Sequence, residues 1–493
     1  MSNVTVLGAG NQTVGLCFDT EESLILARQL AGLITAGVQN GSIIAASDRS
    51  GAPPPVPSGK AGEFVQTKSG TVMLPNGYTA LVETAAKALV FGSNAENQMI
   101  LSGTSSDLTF ISPGGSGTVV AAGDHNRIVL SSGDDGNWLI NTGKGDDIIH
   151  ALGSGQHTIS SGAGDNAIML GTGSAMVQSA GDDTVSMGGG SATIDATTGG
   201  SDLVFGGGGD LLFVGGGGGA TIYGGSGSTT YYGGMHDSPG HGGNHHGHDD
   251  DHHGHGRDDD DDHGRGHGQD DHHDRSRGHD DRGHDDRRHG DRGHDDRGHD
   301  DRERNDCGDD DDDRDGHSRG GAAQIVHGGS GGNNYLFAGS GAATLFGGGD
   351  NDQLYAFGDV GQMLVGSDGY ATLSAAFSDG NNTIKGGRGD EAITGGTGKD
   401  LVISGAGNDT VFATDGSRDT FAFVRDEAGG TVLIQNIYDA RDVRIDLIDY
   451  GKCEEKYALA SQTTDGGSVS FNLSDGTRVT FDNITHLTDK NFI

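Results

Sequence analysis

The sequence predicts an all-β fold: a parallel β-roll, or β-solenoid, of glycine-rich nonapeptide repeats with a small N-terminal α/β cap, a C-terminal β cap and a long disordered insert. Three observations carry that prediction. Three nonapeptides in tandem, GGRGDEAIT, GGTGKDLVI and SGAGNDTVF, fill residues 386–412 and share one plan of glycines, an acidic residue and an apolar residue. The apolar position recurs at steps of eight to ten residues far upstream of them. Finally, 94 Gly and only 32% hydrophobic residues in a chain of 493 leave too little for a thick conventional core. A solenoid avoids that difficulty, because each turn buries a few side chains against its neighbours only.

From the N-terminus, residues 1–62 read as a helix followed by a Pro-rich linker. Thr20 to Gly37 has amphipathic spacing, with Glu21 and Glu22 at the positive end of the helix dipole. Gly51 to Gly59 (GAPPPVPSG) is stiff. Residues 63–91 alternate as strands around Pro75-Asn76-Gly77 and are expected to cap the open edge of the roll.

Residues 92–232 form a degenerate roll. Inward positions fall at Ile149, Ile159, Ile168, Val177, Val185, Ile194, Val204, Phe213, Ile222 and Tyr231. Two residues before each lies the place where the strict repeats carry an acid. Alternate members lie on opposite edges of a two-strand roll, so Asp147, Asn166, Asp183 and Asp202 share one edge while His157, Ala175, Ala192 and Leu211 line the other. Cation ligands are therefore expected along one edge only in this tract.

Residues 233–327 are assigned to the insert. Met235 to Gly320 holds 18 His, 28 Asp and 13 Arg, including four copies of RGHDD, and has almost nothing apolar to bury. A five-residue period places its histidines on no common helical face. The densest patch, His245, His246, His248, His252, His253 and His255, offers nitrogen ligands to Zn²⁺, Ni²⁺ or Cu²⁺ without a fixed tetrahedral spacing. A solvated charged loop expanded by repeat slippage is the competing reading. Acid and metal are both expected to compact this polyanion as its histidines gain protons near pH 6.

The roll resumes over residues 328–416. Asn334 and Asp352 share an edge opposite Ala343, after which Asn382 pairs with Asp400 and Glu391 with Asp409 on the two edges of the strict repeats. Glycines at the first, second and fourth places (Gly386, Gly387, Gly389; Gly395, Gly396, Gly398; Gly405 and Gly407) allow tight left-handed turns and leave carbonyls uncovered. The sixth-place Glu391, Asp400 and Asp409, with Asp390 beside the first, supply carboxylates. Calcium takes six to eight hard oxygens, so carbonyls and carboxylates together suit it. A metal-free solenoid whose glycines serve turns alone is the alternative. Residues 417–493 alternate as half-buried strands with a hairpin signal at Asp475-Gly476, and form the C-terminal cap.

At residues 386–412 the chain resembles the RTX, or haemolysin-type calcium-binding repeat, family. The resemblance implies a right-handed roll of about eighteen residues per turn, Ca²⁺ held between repeats two apart on one edge, and a C-terminal region read by a type I secretion apparatus. It also implies a secreted, extracellular protein, associated in some cases with the cell surface.

A formal charge of −40 opposes a nucleic-acid partner and favours divalent cations. No run of eighteen apolar residues is present, so no membrane span is expected. Met1 to Gly15 lacks the basic and apolar regions of a cleaved leader. Cys17, Cys307 and Cys453 build no disulfide framework. No nucleophile elbow, HExxH helix, P-loop or dinucleotide fingerprint appears, so no enzyme is expected. The sequence thus points to a secreted calcium-binding protein that folds on extracellular Ca²⁺ and has a structural, cell-surface or matrix role. Two alternatives stay open: a Zn/Ni/Cu-sequestering protein acting through the insert, and an adhesin that binds polysaccharide or self-associates.

Overall fold

The structure is a computed structural model and describes residues 2–131, 133, 135–235, 322–414 and 416–493. The insert histidines His245, His246, His248, His252, His253 and His255 lie outside the described residues.

Two parallel sheets form the roll, and the chain alternates between them. Sheet one runs from Ile43–Ser47 through Trp138–Asn141, Thr229–Tyr232 and Ala392–Thr394 to Thr431–Gln435. Sheet two has sixteen strands, from Gly70–Met73 to Arg444–Ile448. Each strand pairs in parallel with the strands one turn before and after it in the same sheet, as in Ile148↔Ala167 and Ala392↔Thr410. This gives about sixteen turns.

The alternation along each strand explains the core. Most strands point one or two aliphatic or aromatic side chains inward, and the expected series, from Ile149 and Ile159 to Phe213, Ile222 and Tyr231, is buried. Leu336, Leu345, Leu354, Ile393, Val402 and Val411 continue it in one contiguous cluster. Since a strict repeat contributes a single such residue, Ile393→Ala is expected to cost about 2–5 kcal/mol, measured as a lower denaturation midpoint in saturating calcium.

The N-terminal region departs from expectation. Residues 63–91 are part of the roll itself: Ala61–Gln66, Tyr78–Glu83 and Gln98–Ser102 stack as successive strands of sheet one, and the roll begins at Ile43–Ser47. The cap lies outside that sheet. An antiparallel hairpin, Ser2–Leu7 with Thr13–Phe18, and helix α1 (Glu21–Gln39) bury Val65, Ala80, Val82, Leu101 and Val120 against Val6, Phe18, Ala27 and Ile34. Burial on both faces replaces alternation with continuous apolar runs, which is why these turns read as a separate element. Helix α1 starts where Thr20 Oγ1 accepts the N–H of Ser23 at 3.1 Å. Thr20→Ala is expected to lower stability by about 1 kcal/mol, read from thermal melting.

Two further boundaries move. Gln324–His327 is a strand of sheet two, paired with Ala220–Tyr223 and Ala343–Phe346, so the roll reclaims the last residues assigned to the insert. In the C-terminal region Thr431–Gln435 pairs in parallel with Arg478–Phe481, which forms a hairpin with Ser468–Asn472. The hairpin turn contains Asp475-Gly476, with Gly476 at φ +98°. A short helix α2 (Glu454–Ala460), absent from the sequence reading, packs there and accepts Ser474 N–H and Oγ through Glu454. Cys453 is a free exposed thiol. Among the described residues no helix is long and apolar enough to cross a membrane.

Candidate calcium-binding edges

Loops leading into sheet two form one edge of the roll, and loops leading into sheet one form the other. Strand register stacks the residues just before each strand. On the sheet-two edge the order is Asn126, Asp147, Asn166, Asp183, Asp202, then Ala220, Gln324 and Ala343, then Gln362, Asn382, Asp400 and Asp419. On the sheet-one edge His157, Ala175, Ala192, Leu211 and Thr229 precede Asn334, Asp352, Ala371, Glu391 and Asp409. The expected sharing of edges is therefore what the register produces. The acidic series on the sheet-two edge breaks off at Ala220, Gln324 and Ala343, the turns that flank the insert.

A recurring hydrogen bond ties these stacks together. In most turns one buried side-chain oxygen accepts the backbone N–H of the equivalent residue one turn earlier. Asn126 N–H donates to Asp147 at 2.6 Å, Asp147 to Asn166 at 2.9 Å, and Asn166 to Asp183 at 3.1 Å. Asn382 donates to Asp400 at 2.7 Å, Asp400 to Asp419 at 2.9 Å, and Glu391 to Asp409 at 3.0 Å. Asn126, Gln362 and Asp419 belong to these ladders and were missed by the sequence reading. Their loops lack the full glycine pattern, although each sits two residues before an inward Ile128, Leu364 or Phe421.

Asp390 is different. It is exposed, and its Oδ1 accepts Asn408 N–H at 2.7 Å on the following turn. It belongs to an outer ladder that runs the opposite way, as do Asp146 with Asp165 and Asp182 with Ser201.

The second carboxylate oxygen distinguishes the sites. Asp352 Oδ2 accepts the N–H groups of Gly348 and Gly349 at 2.8 and 3.0 Å, and Asp400 Oδ2 accepts Gly396 N–H at 2.7 Å. Ser161 Oγ and Ser417 Oγ serve Asp183 and Asp419. In contrast, Asp147 Oδ2, Asp202 Oδ2, Asp409 Oδ2 and both Glu391 oxygens are buried with no donor. A buried carboxylate without a donor is costly. A cation seated between turns would remove that cost, so these residues fit calcium best. Three or more His, Cys, Asp or Glu do not converge anywhere among the described residues. A site of this kind must therefore take most of its oxygens from backbone carbonyls.

Loop shape varies among these sites and does not follow the bare oxygens alone. In the loops before Asp147 and Asp409 the second- and fourth-place glycines are left-handed: Gly143 +76° and Gly145 +118°, Gly405 +96° and Gly407 +120°. Gly386, Gly387, Gly389, Gly395, Gly396 and Gly398 have no positive φ. For those six the expected reason for glycine is corrected: close stacking, not a left-handed turn, excludes a side chain at Gly387, Gly389, Gly396 and Gly398, where an added Cβ would sit 1.5–2.3 Å from a carbonyl oxygen of the previous turn.

Electrostatics agrees with the bare oxygens. Burial pushes Asp147 up to about 7 and Asp202 up to about 6. Asp419 also rises to about 6 by burial. Glu391 is pushed well up by burial first and then by its neighbour Asp409, which rises for the same leading reason. A raised folded-state pKa means that the metal-free fold binds protons the unfolded chain has already released. Its stability is greatest below the unfolded value near 4 and declines as pH rises through 6 to 7. Metal-free protein is therefore expected to melt higher at pH 5 than at pH 8, and the increment produced by calcium should grow with pH over that window. Differential scanning calorimetry at both pH values with and without calcium tests the sign.

Stacked glycine loops that carry an inward acid ahead of a short parallel strand define a β-roll of the calcium-binding nonapeptide class. Residues 328–356 and 378–417 match the family model for the RTX calcium-binding nonapeptide repeat, in four copies, and the chain carries RTX repeats in those two tracts. No curated protein and no solved structure gives a significant match to this chain.

Proposed function

We propose that this chain is an exported, non-catalytic structural protein whose roll is completed by extracellular calcium. The observation that carries the reading is the Glu391–Asp409 pair: two buried carboxyl groups on adjacent turns of matched repeats, with three oxygens that no protein donor reaches. Calcium neutralises both acids and joins their turns. Asp147 and Asp202 extend the same chemistry to the sheet-two edge upstream, whereas Asp352 and Asp400 already have amide partners and bind more weakly. Extracellular calcium modules work at roughly 10⁻⁴–10⁻³ M, so the C-terminal repeats, the end of the roll that a type I exporter would engage, stay open in a low-calcium cytosol and close outside. A cell-surface or matrix role suits a long rigid roll better than catalysis does.

The test is the double variant Glu391→Gln, Asp409→Asn. It removes two charges and retains the shape, so the metal-free protein should be at least as stable as wild type. Calcium-induced protection of residues 378–417 from hydrogen exchange should disappear. Unchanged calcium-induced protection would reject the pair as the site.

A further inference from the structure

Along its central strands, over residues 127–403, the outer side of sheet two is a strip that presents no acidic residue of its own, in a chain whose formal charge is −40. From Arg127–Leu130 to Thr420–Val424 twelve strands lie in order; over 127–403 the outward residues are the first and third of most strands, and the second and fourth of Asp202–Phe205, Ala220–Tyr223, Gln324–His327 and Ala343–Phe346. None of those outward positions is Asp or Glu. Many are large and apolar: Ile148, Met169, Phe205, Tyr223 and Ile325 are between 37% and 45% exposed. Helix α1 and the N-terminal hairpin pack on the first strands of sheet one, on Val65, Ala80, Val82, Leu101 and Val120, and among the described residues they do not reach this strip.

The strip has a centre. Phe205, Tyr223, His327 and Phe346 stack ring on ring along four successive strands, at centroid distances of 5.6, 5.2 and 4.4 Å and interplanar angles of 10° or less. These are the fifth to eighth of the twelve strands, so the ladder straddles the midpoint. Polar and charged groups lie nearer the ends, with Arg127 and His150 on one side and Lys385 on the other. An apolar aromatic centre within a more polar rim is the anatomy of a protein–protein interface.

We propose that a second copy of this chain packs face to face on this strip, about a two-fold axis passing between Tyr223 and His327. A two-fold contact needs a self-complementary surface, and symmetry of the ladder about the midpoint provides it: each aromatic row lies over its mate. Twelve strands at about 4.8 Å spacing give a strip about 55 Å long. At a width of about 12 Å, roughly 650 Å² per copy is covered, or roughly 1,300 Å² in total, which falls within the range of specific stable interfaces. Sheets packed in this way sit about 10 Å apart. Over these strands the acids lie in the loops, and the one that reaches the strip, Glu427, is paired with Lys385 at 3.0 Å near its end. The surface is assembled from outward side chains, and so the inference goes beyond the calcium reading, which concerns the loops.

Sedimentation velocity of the full chain at millimolar calcium, over micromolar concentrations, tests the proposal. Wild type is expected to sediment as a dimer. Tyr223→Lys with Ile325→Lys places four lysines at the axis and should weaken association more than about 100-fold. The control Thr410→Lys, on the outer side of sheet one, should remain dimeric. Far-UV circular dichroism establishes that each variant keeps its β spectrum. If the double variant loses it, Leu203→Lys, an outward position on the strand next to that of Tyr223, takes its place. A monomeric wild type overturns the proposal, as does a charge variant that stays folded and dimeric. A wild type that gains mass only on a polysaccharide overturns it too, and assigns the strip to that ligand instead. Failure of the calcium reading would show as an unchanged hydrogen-exchange pattern on chelation, a result independent of sedimentation.

Discussion

Chelating calcium is expected to release residues 378–417 from protection while residues 43–131 remain folded. The two ends of the roll are built from different amounts of burial. In the first turns, strands of four to six residues such as Ala61–Gln66, Tyr78–Glu83 and Asp107–Ser112 bury Phe64, Tyr78, Leu81 and Phe110, and the outer face is covered by α1 and the hairpin. The strict repeats have three-residue strands, Thr383–Lys385, Ala392–Thr394 and Leu401–Ile403, each of which buries one aliphatic side chain. One such side chain contributes about 1.5–3 kcal/mol, well short of the entropy lost in ordering nine glycine-rich residues. The adjoining Glu391 and Asp409 then subtract from the balance at neutral pH, because their bare oxygens are buried. An ion at about ten times its dissociation constant returns about 1.4 kcal/mol per site and removes that penalty as well. Hydrogen exchange read by mass spectrometry should show deprotection of the C-terminal tract by more than tenfold on chelation, with peptides from 43–131 unchanged. Uniform loss along the whole roll would show that calcium sets global stability, and no loss anywhere would show that the amide ladders suffice alone.

Much of this was legible because a nonapeptide repeat is a local code. Position within the repeat determines whether a residue points inward, and so Ile149 and Tyr231 were placed correctly despite an interval of unlike residues between them. Assignment of Asp147 and Asp183 to one edge of the first tract, and of Asn382 with Asp400 and Glu391 with Asp409 to the two edges of the strict repeats, followed from the same alternation. The turns of 43–91 were hidden for the opposite reason. Val65, Ala80 and Val82 face outward, and their apolar character is explained only by a helix and hairpin that arrive from residues 2–39. Asn126 and Asp419 were overlooked because their ladder partners, Asp147 and Asp400, lie about one turn away in sequence and are joined to them only by register. The difference between Asp400, satisfied by Gly396 N–H, and Asp409, with a bare oxygen, is not expressed in the repeat pattern that their loops share.

Gly387→Ala should be among the most destabilising single substitutions in the roll, although it adds one methyl group. Its φ is not left-handed, so backbone preference is not the reason. An added Cβ would lie 1.5 Å from the Ser367 carbonyl oxygen and 2.5 Å from its carbon, and both atoms are backbone that no rotamer change can move. Gly387 is also held from the other side: its own carbonyl accepts Ala406 N–H at 3.0 Å, and a Cβ on Gly405 would meet that carbonyl oxygen at 2.2 Å. The methyl therefore has to lift one loop off another and break the register that brings Glu391 to Asp409. A loss of more than about 3 kcal/mol is expected, with weaker calcium binding alongside it. Two companions separate the causes. Gly416 has φ +81° and open space around it, so Gly416→Ala should cost only the left-handed penalty of about 1–2 kcal/mol. Gly451 has neither a positive φ nor a neighbour within 4 Å, so Gly451→Ala should be neutral or stabilise by up to about 1 kcal/mol. Urea denaturation of the three variants in saturating calcium ranks them directly. If Gly387→Ala behaves like Gly451→Ala, the loops are not stacked as closely as the structure has them, and the carboxylates of successive turns are too far apart to share an ion.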